Sequence, residues 1–266
     1  MCARVHLLVV LAVVAQAPAP ARADGSLPVN RKRDLILIGV GGGAYLAAEL
    51  LKDDLTPARC RWCDDNALDR AARDAFRWDA VNRAATASDV TGYALVPGVA
   101  LGLSALVATH DGRSDDFVDN SIVIVQAATF ALDLNQLVKY TVMRARPAQL
   151  AAPRDPEVVG HDVNLSFYSG HTTLAFSLAT AGGMVASIRG YRWSGVVWGA
   201  GLTAAAATGY FRMAADKHYL SDVLVGALIG AGFGVAIPLL HRRCPALRVV
   251  ATPVGEGALL GIGGAF

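Results

Sequence analysis

The chain has 266 residues; 54% are hydrophobic, only 17% are charged, and 24 basic against 22 acidic side chains leave a net charge of +2. Soluble domains carry roughly a quarter of their residues as Asp, Glu, Lys or Arg, so the deficit excludes an ordinary soluble enzyme, and the apolar content excludes disorder. The near balance of charge excludes a broad nucleic-acid-binding face, and four cysteines are too few for a fold built on disulfides.

In chain order, residues 1–23 come first: Arg4 in a short basic head, an apolar run over 5–15, Pro18, Pro20 and an Ala21-Arg22-Ala23 triplet. This is the layout of a signal peptide with a small-x-small cleavage site; an uncleaved anchor is the alternative. Residues 24–51 form an N-terminal segment with a weak first span over 35–51, which holds Gly41, Gly42 and Gly43 in its middle and Glu49 near its end.

Residues 52–89, with seven basic and eight acidic side chains, predict an extramembrane segment. Over 66–85, Asp69 and Arg73, Arg70 and Asp74, and Asp79 and Arg83 each stand four apart. Leu68, Ala72, Ala75 and Phe76 share another face, as in an amphipathic helix lying on the bundle or the membrane surface. Cys60 and Cys63 are half a zinc site with no second pair at suitable spacing. No thioredoxin-like pattern surrounds them, and a small disulfide in an oxidising compartment is the favoured reading.

Residues 90–241 predict a membrane-embedded core. A crossing helix needs about 20 mostly apolar residues, and the blocks 90–109, 172–188, 193–211 and 223–240 are uncharged and of suitable length. The block 117–143 is long enough but carries Asp119, Gln126, Asp133, Asn135, Gln136 and Lys139. Polar groups at that depth face a bundle interior or a wet cavity, so this helix is where chemistry is sought. Residues 242–266 read as a C-terminal tail, Gly-rich and β-like. The fold class expected is all-α: an integral-membrane helical bundle of five or six spans.

Three polar clusters stand at the ends of apolar helices. The first, KYTVMRARP, gives Lys139 and then Arg146 and Pro147; any one of its cations taken singly, Arg144 included, reads as a snorkelling interface residue. The second, SFYSGHTT, sets Ser169, Gly170 and His171 before an uncharged helix, as a plain N-cap or as a phosphate seat of backbone amides. The third, RMAADKHYLSD, sets Arg212, then His218, then Asp222 four residues on, so that the carboxylate can hold one ring nitrogen of the histidine.

In order, these clusters resemble the three signature motifs of the type 2 phosphatidic acid phosphatase and vanadium haloperoxidase superfamily: Lys-x6-Arg-Pro, Pro-Ser-Gly-His and Ser-Arg-x5-His-x3-Asp. Each pattern alone is weak; all three in order would arise by chance in roughly one chain in 100,000. Tyr168 stands where the family has Pro, and Phe211 where it has Ser; the first alters the setting of the phosphate turn and the second exchanges a hydroxyl contact for an apolar wall. The resemblance implies a four-helix phosphatase core in which Lys139, Arg146 and Arg212 hold phosphate oxygens, helped by Ser169 and the Gly170 amide. It further implies His218 as a nucleophile forming a phosphohistidine, Asp222 as its orienter, and His171 as acid and then base. Fixed cations and amides suit a transition state whose charge is spread over several oxygens. No cofactor or metal is implied, although vanadate can mimic the phosphate.

Asp133, deep in a span, either pairs with a cation, the favoured reading, or helps position Lys139. Asn135 lies four before Lys139 and is expected to support it. The implied substrate is a lipid phosphate monoester or diphosphate, with membrane lipids as the other partner and no nucleic acid. A vanadate-dependent haloperoxidase and a non-catalytic phospholipid binder or transporter are the competing readings. With the catalytic end extracytoplasmic, as in a bacterial-type inner membrane, Arg31, Lys32, Arg33, Arg113, Arg189, Arg192, Arg242, Arg243 and Arg248 fall inside, as the positive-inside tendency expects. A cleaved signal followed by six spans would invert that placement. Two ways out are a segment 35–51 that does not fully cross, or a first 23 residues that are not a functioning signal.

Overall fold

The computed structural model describes residues 25–56, 59–150, 161–242, 248–254 and 257–263; the signal-peptide expectation lies outside the described residues. Among them are seven principal helices: α1 (Arg31–Leu50), α2 (Ala67–Phe76), α3 (Val81–His110), α4 (Phe117–Val142), α5 (Gly170–Ile188), α6 (Ser194–Ala214) and α7 (Leu220–His241). Residues 27–242 form one compact unit. The helix-rich architecture is that of an integral-membrane bundle. The continuous segments Val81–His110, Ser114–Val142 and Leu220–His241 are each long and apolar enough to cross a membrane, and α1, α5 and α6, at 20, 19 and 21 residues, extend about 30 Å beside them.

In the other compact unit, Arg248–Val254 and Gly257–Gly263 pair as an antiparallel hairpin, with Arg248 opposite Gly263 and Val254 opposite Gly257. The β-like tail is therefore two strands rather than one.

Helix α1 is continuous through its three glycines. Arg31 Nε reaches Asp119 Oδ1 at 2.7 Å at one end of α4, and the Tyr140 hydroxyl donates to the Ala48 carbonyl at 2.8 Å near the other. Thus α1 runs parallel to α4 along its length, although it is not among the three segments long and apolar enough to cross a membrane. The close approach rests on Gly41, where a Cβ would strike Asp133 and Thr129. Asp133 is set against that glycine, its Oδ1 has no hydrogen-bond partner, and no ion pair forms to it among the described residues. The expected ion pair is not made, because the neighbouring face of α1 offers backbone and no cation.

Helices α5 and α7 also run parallel, joined by small residues. Gly226, Gly230 and Gly234 stand one turn apart on α7, and a Cβ at Gly226 would lie 2.8 Å from the Ser169 carbonyl oxygen. Such a small-residue stripe lets helix backbones touch in lipid. It brings the beginnings of both helices side by side, and the Ser169 amide donates to the Asp222 carbonyl at 3.1 Å. Within α3 the backbone widens to π-helical turns over Thr91–Leu95 and Gly98–Leu103, on either side of Pro97, which has no N–H to give the regular ladder.

The polar segment differs from the surface helix expected of it. Asn66 caps α2 by accepting the Asp69 amide at 2.9 Å, but Leu68 is 62% exposed, whereas Asp69 is fully buried. The pairings four apart give way to distant ones: Asp69 binds Arg144, Arg73 binds Asp216 at 2.6 and 2.7 Å, and Arg70 turns to Asp65. A carboxylate without solvent needs a cation, and Arg144, itself fully buried, is the one within reach. Cys60 and Cys63 are joined as a disulfide, with Cα atoms 5.5 Å apart.

Candidate active site

The three sequence clusters meet at one end of the bundle, around a cavity of about 230 Å³. Lys139, Arg146, Gly170, His171, Arg212 and His218 all line it. Lys139 is in the last turn of α4, which ends where Met143 adopts a left-handed conformation (φ 50°). Gly170 opens α5 so close to this lysine that a Cβ there would lie 3.3 Å from Lys139 Nζ and 2.9 Å from Asn135 Oδ1. A larger residue here would push the Asn135 and Lys139 side-chain ends aside. Asn135 Nδ2 donates to the Tyr168 carbonyl at 2.7 Å, which fixes the turn before α5. Asp133 is not part of the cavity wall.

The cations are at the floor and the carboxylates at the rim. Asp89 and Asp162 have side chains 55% and 40% exposed, against 8% and 9% for their partners Arg212 and Arg146. Arg212 donates to Ser88 Oγ at 3.1 Å, and its buried Nε has no hydrogen-bond partner. Arg146 is braced by the Asp162 carboxylate at 2.8 Å, the Asp162 carbonyl at 2.9 Å and the Lys217 carbonyl at 2.9 Å. Burial pulls the Asp162 carboxyl upward, but Arg146, with Lys217, Lys52 and Lys139 nearby, more than offsets this and holds it below the usual carboxylate range.

His218 lies in the turn between α6 and α7 and is buried. Its Nδ1 is 2.8 Å from the Ser166 carbonyl oxygen, which can only accept, so Nδ1 carries the proton and Nε2 presents a lone pair. That Nε2 is 3.5 Å from Arg146 Nη1. Burial, reinforced by Arg146, Arg212 and Lys139, pushes His218 well below the ordinary histidine range and keeps the ring neutral.

Three residues stand differently from the sequence expectation. Asp222 Oδ2 is 3.6 Å from His218 Nδ1, farther than the Ser166 carbonyl, and it instead accepts from Ser166 Oγ at 2.6 Å and from the Tyr219 amide at 3.0 Å. The carboxylate thus holds the residue that holds the histidine. Ser169 is fully buried and caps its own helix, its Oγ 2.8 Å from Thr172 Oγ1 and accepting the Thr172 amide at 3.4 Å. The hydroxyl satisfies a first-turn amide rather than the cavity. Phe211 is turned away into an aromatic cluster, 5.7 Å from Trp78 and 5.6 Å from Tyr210, and forms no wall of the site.

Sequence reasoning missed Asp89, Ser166 and Ser88. Asp89 Oδ1 is 2.9 Å from His171 Nε2 and 3.7 Å from Arg212; its only sequence signal was its place as the last charge before an uncharged block. Ser166 acts through a backbone carbonyl, for which no residue type is diagnostic.

Buried cations, a neutral histidine and the start of a helix thus surround one small cavity at an end of a helical bundle with three segments able to cross a membrane. Residues 121–245 match the family model of the PAP2 superfamily. No curated protein sequence matches the chain. Among solved structures, the transmembrane PAP2-type phosphatidylglycerolphosphate phosphatase from Bacillus subtilis is similar at 15% identity with a TM-score of 0.44, over 78% of this chain and 93% of that one. The PAP2 match takes in Lys139, Arg146, Gly170, His171, Arg212 and His218, the cavity residues of the three sequence clusters.

Proposed function

We propose that the protein hydrolyses a lipid phosphate monoester or diphosphate through a phosphohistidine on His218, without requiring a metal. The observation that carries this reading is the fixed tautomer of His218, whose Nε2 lone pair opens beside Arg146 in a cavity also lined by Lys139 and Arg212. In the first step Nε2 attacks phosphorus, the bond to the leaving oxygen breaks, and His171 gives that oxygen a proton. In the second, water attacks the phosphohistidine, His171 takes a proton from the water, and inorganic phosphate leaves. Lys139, Arg146, Arg212 and the first amides of α5 offset charge on the non-bridging oxygens.

The apolar bundle suits a substrate whose tail stays in lipid while its headgroup enters the cavity. The site faces the extracytoplasmic side in this reading, because Arg31, Arg33, Arg113, Arg189 and Arg242 lie toward the opposite end. The Cys60–Cys63 disulfide accords with the same side.

The test is phosphate release by the full-length protein in detergent from phosphatidic acid, phosphatidylglycerol phosphate, an isoprenoid diphosphate and a lipid A phosphate, with chelator present. Release from at least one, inhibited by vanadate and lost in His218→Ala, is expected. Release undiminished in His218→Ala would overturn the nucleophile assignment. Reporter fusions after Ala85 and after Pro153 test the side; cytoplasmic signals from both would reverse it.

A further inference from the structure

Beneath the site is a buried charge cluster that no step above uses. Arg144, fully buried, donates from Nη2 to Asp69 Oδ2 at 2.7 Å and from Nη1 to Asp222 Oδ1 at 2.6 Å and Ser221 Oγ at 2.7 Å. Its guanidinium is sandwiched between the rings of Trp62 and Tyr219, each 4.0 Å from Cζ to centroid. Asp69 is equally tied down, its Oδ1 accepting the Ser221 amide at 2.9 Å and its Oδ2 the Ser221 hydroxyl at 2.7 Å. Trp62 sits in the disulfide loop between Cys60 and Cys63, and its carbonyl accepts the Ala145 amide at 3.0 Å.

From this cluster a chain of contacts leads to the reacting atom. Asp222 braces Ser166 Oγ at 2.6 Å, and the Ser166 carbonyl holds His218 Nδ1 at 2.8 Å. We propose that Arg144 and Asp69 are positioning residues for the nucleophile: the extramembrane segment reaches through Arg144 to Asp222, and thereby sets the orientation and charge environment of His218. This rests on the phosphohistidine reading given above.

The sign follows from charge. Asp69, Arg144 and Asp222 together carry one net negative charge, without solvent to screen it. That charge is on the Nδ1 side of the ring, where it favours the imidazolium formed when Nε2 bonds to phosphorus. Removing the Asp69 charge leaves Arg144 and Asp222 as a neutral pair, and the developing cation loses its counter-charge. Removing Arg144 leaves two buried carboxylates without a cation, so Asp222 gives up its proton-free state or its grip on Ser166. Neither change touches Lys139, Arg146 or Arg212, so phosphate capture is spared.

The experiment compares wild type, Asp69→Asn, Arg144→Lys and the double variant, full-length in detergent, with dioctanoyl phosphatidic acid as probe. Expected for each single variant is a kcat lower by about 10-fold to 100-fold, the range typical of residues that orient a reacting ligand. KM and the vanadate inhibition constant should stay within about threefold, since the cavity cations are intact. The double variant should be no slower than the slower single one, because both act along one path. Phosphohistidine trapped by an alkaline quench should fall with kcat. Arg70→Gln, on the surface of the same helix, should match wild type.

Wild-type kcat in Asp69→Asn and Arg144→Lys, with His218→Ala inactive, would overturn this proposal while leaving the nucleophile in place; an active His218→Ala would overturn the reading beneath it. Vanadate affinity falling in step with kcat would show a network that holds the whole site rather than the histidine, and would equally overturn the proposal. A fluorescence melt keeps misfolding apart from these outcomes: where Arg144→Lys fails to fold, the Asp69→Asn kcat decides.

Discussion

Both ends of the bundle bury polar side chains, yet the two ends pair them differently. At the far end, Arg189 meets Asp116 at 3.2 Å and Asn120 at 3.0 Å, the Tyr191 hydroxyl donates to Asp116 at 2.9 Å, and His241 lies 3.4 Å from Asp34. Cation, carboxylate and hydroxyl answer one another there. At the cavity end the arrangement is deliberately incomplete: Arg212 keeps a buried Nε without a partner, Lys139 has no ion pair among the described residues, and the carboxylates stand outward at the rim. A cluster of buried cations becomes a binding site when its own protein leaves part of its donor capacity for an anion.

The strongest way to break this comparison is at the nucleophile. His218→Ala should lower phosphate release by at least about 1,000-fold, since a covalent route disappears. Next, Arg212→Ala should cost about 100-fold in kcat/KM and weaken vanadate inhibition, whereas a loss confined to thermal stability would place Arg212 with the far-end arginines. Asp89→Asn should lower kcat by about 10-fold, because His171 loses the carboxylate at its Nε2; an unchanged rate would make Asp89 a rim charge only. At the far end, Arg189→Ala should cost about 1–3 kcal/mol of stability through its lost bonds to Asp116 and Asn120, which keep Arg113 and Tyr191 as partners, with kcat within about twofold of wild type.

The smallest effect concerns pH. The folded protein holds His218 below its unfolded value of 6.5, so its contribution to stability is complete above that value and is lost as pH falls below it. The melting temperature should therefore decline on acidification from about pH 6.5, and His218→Gln should flatten part of that decline. An identical decline in the variant would assign it to other groups.

Much of the site was legible because the residues that touch phosphate come in short runs at helix ends, where spacing alone says which groups share a face. Lys139, Gly170, His171, Arg212 and His218 all reach the cavity for that reason. The support beneath them was hidden. Asp69 has a good partner four residues on, and only the folded chain shows that burial sends it to Arg144. Arg144 looked like an interface cation, since it lies outside the Lys-x6-Arg-Pro spacing that singles out Arg146. The orienter of His218 is a main-chain oxygen, which every residue possesses. The glycine-bearing first helix was legible as a weak apolar segment, but its close packing on α4 through Gly41 shows only in the folded chain.

The Arg144 cluster also bears on when the enzyme comes into being. Its bonds join residues 75, 78 and 152 positions apart, and the final partners, Ser221 and Asp222, open the last helix. Contacts of that separation form late, after the intervening chain is in place. In a growing chain Lys139 and Arg146 are present before α7, but Ser166 and His218 gain Asp222 as a brace only when α7 docks. Completion of the support under His218 and completion of the bundle are then one event.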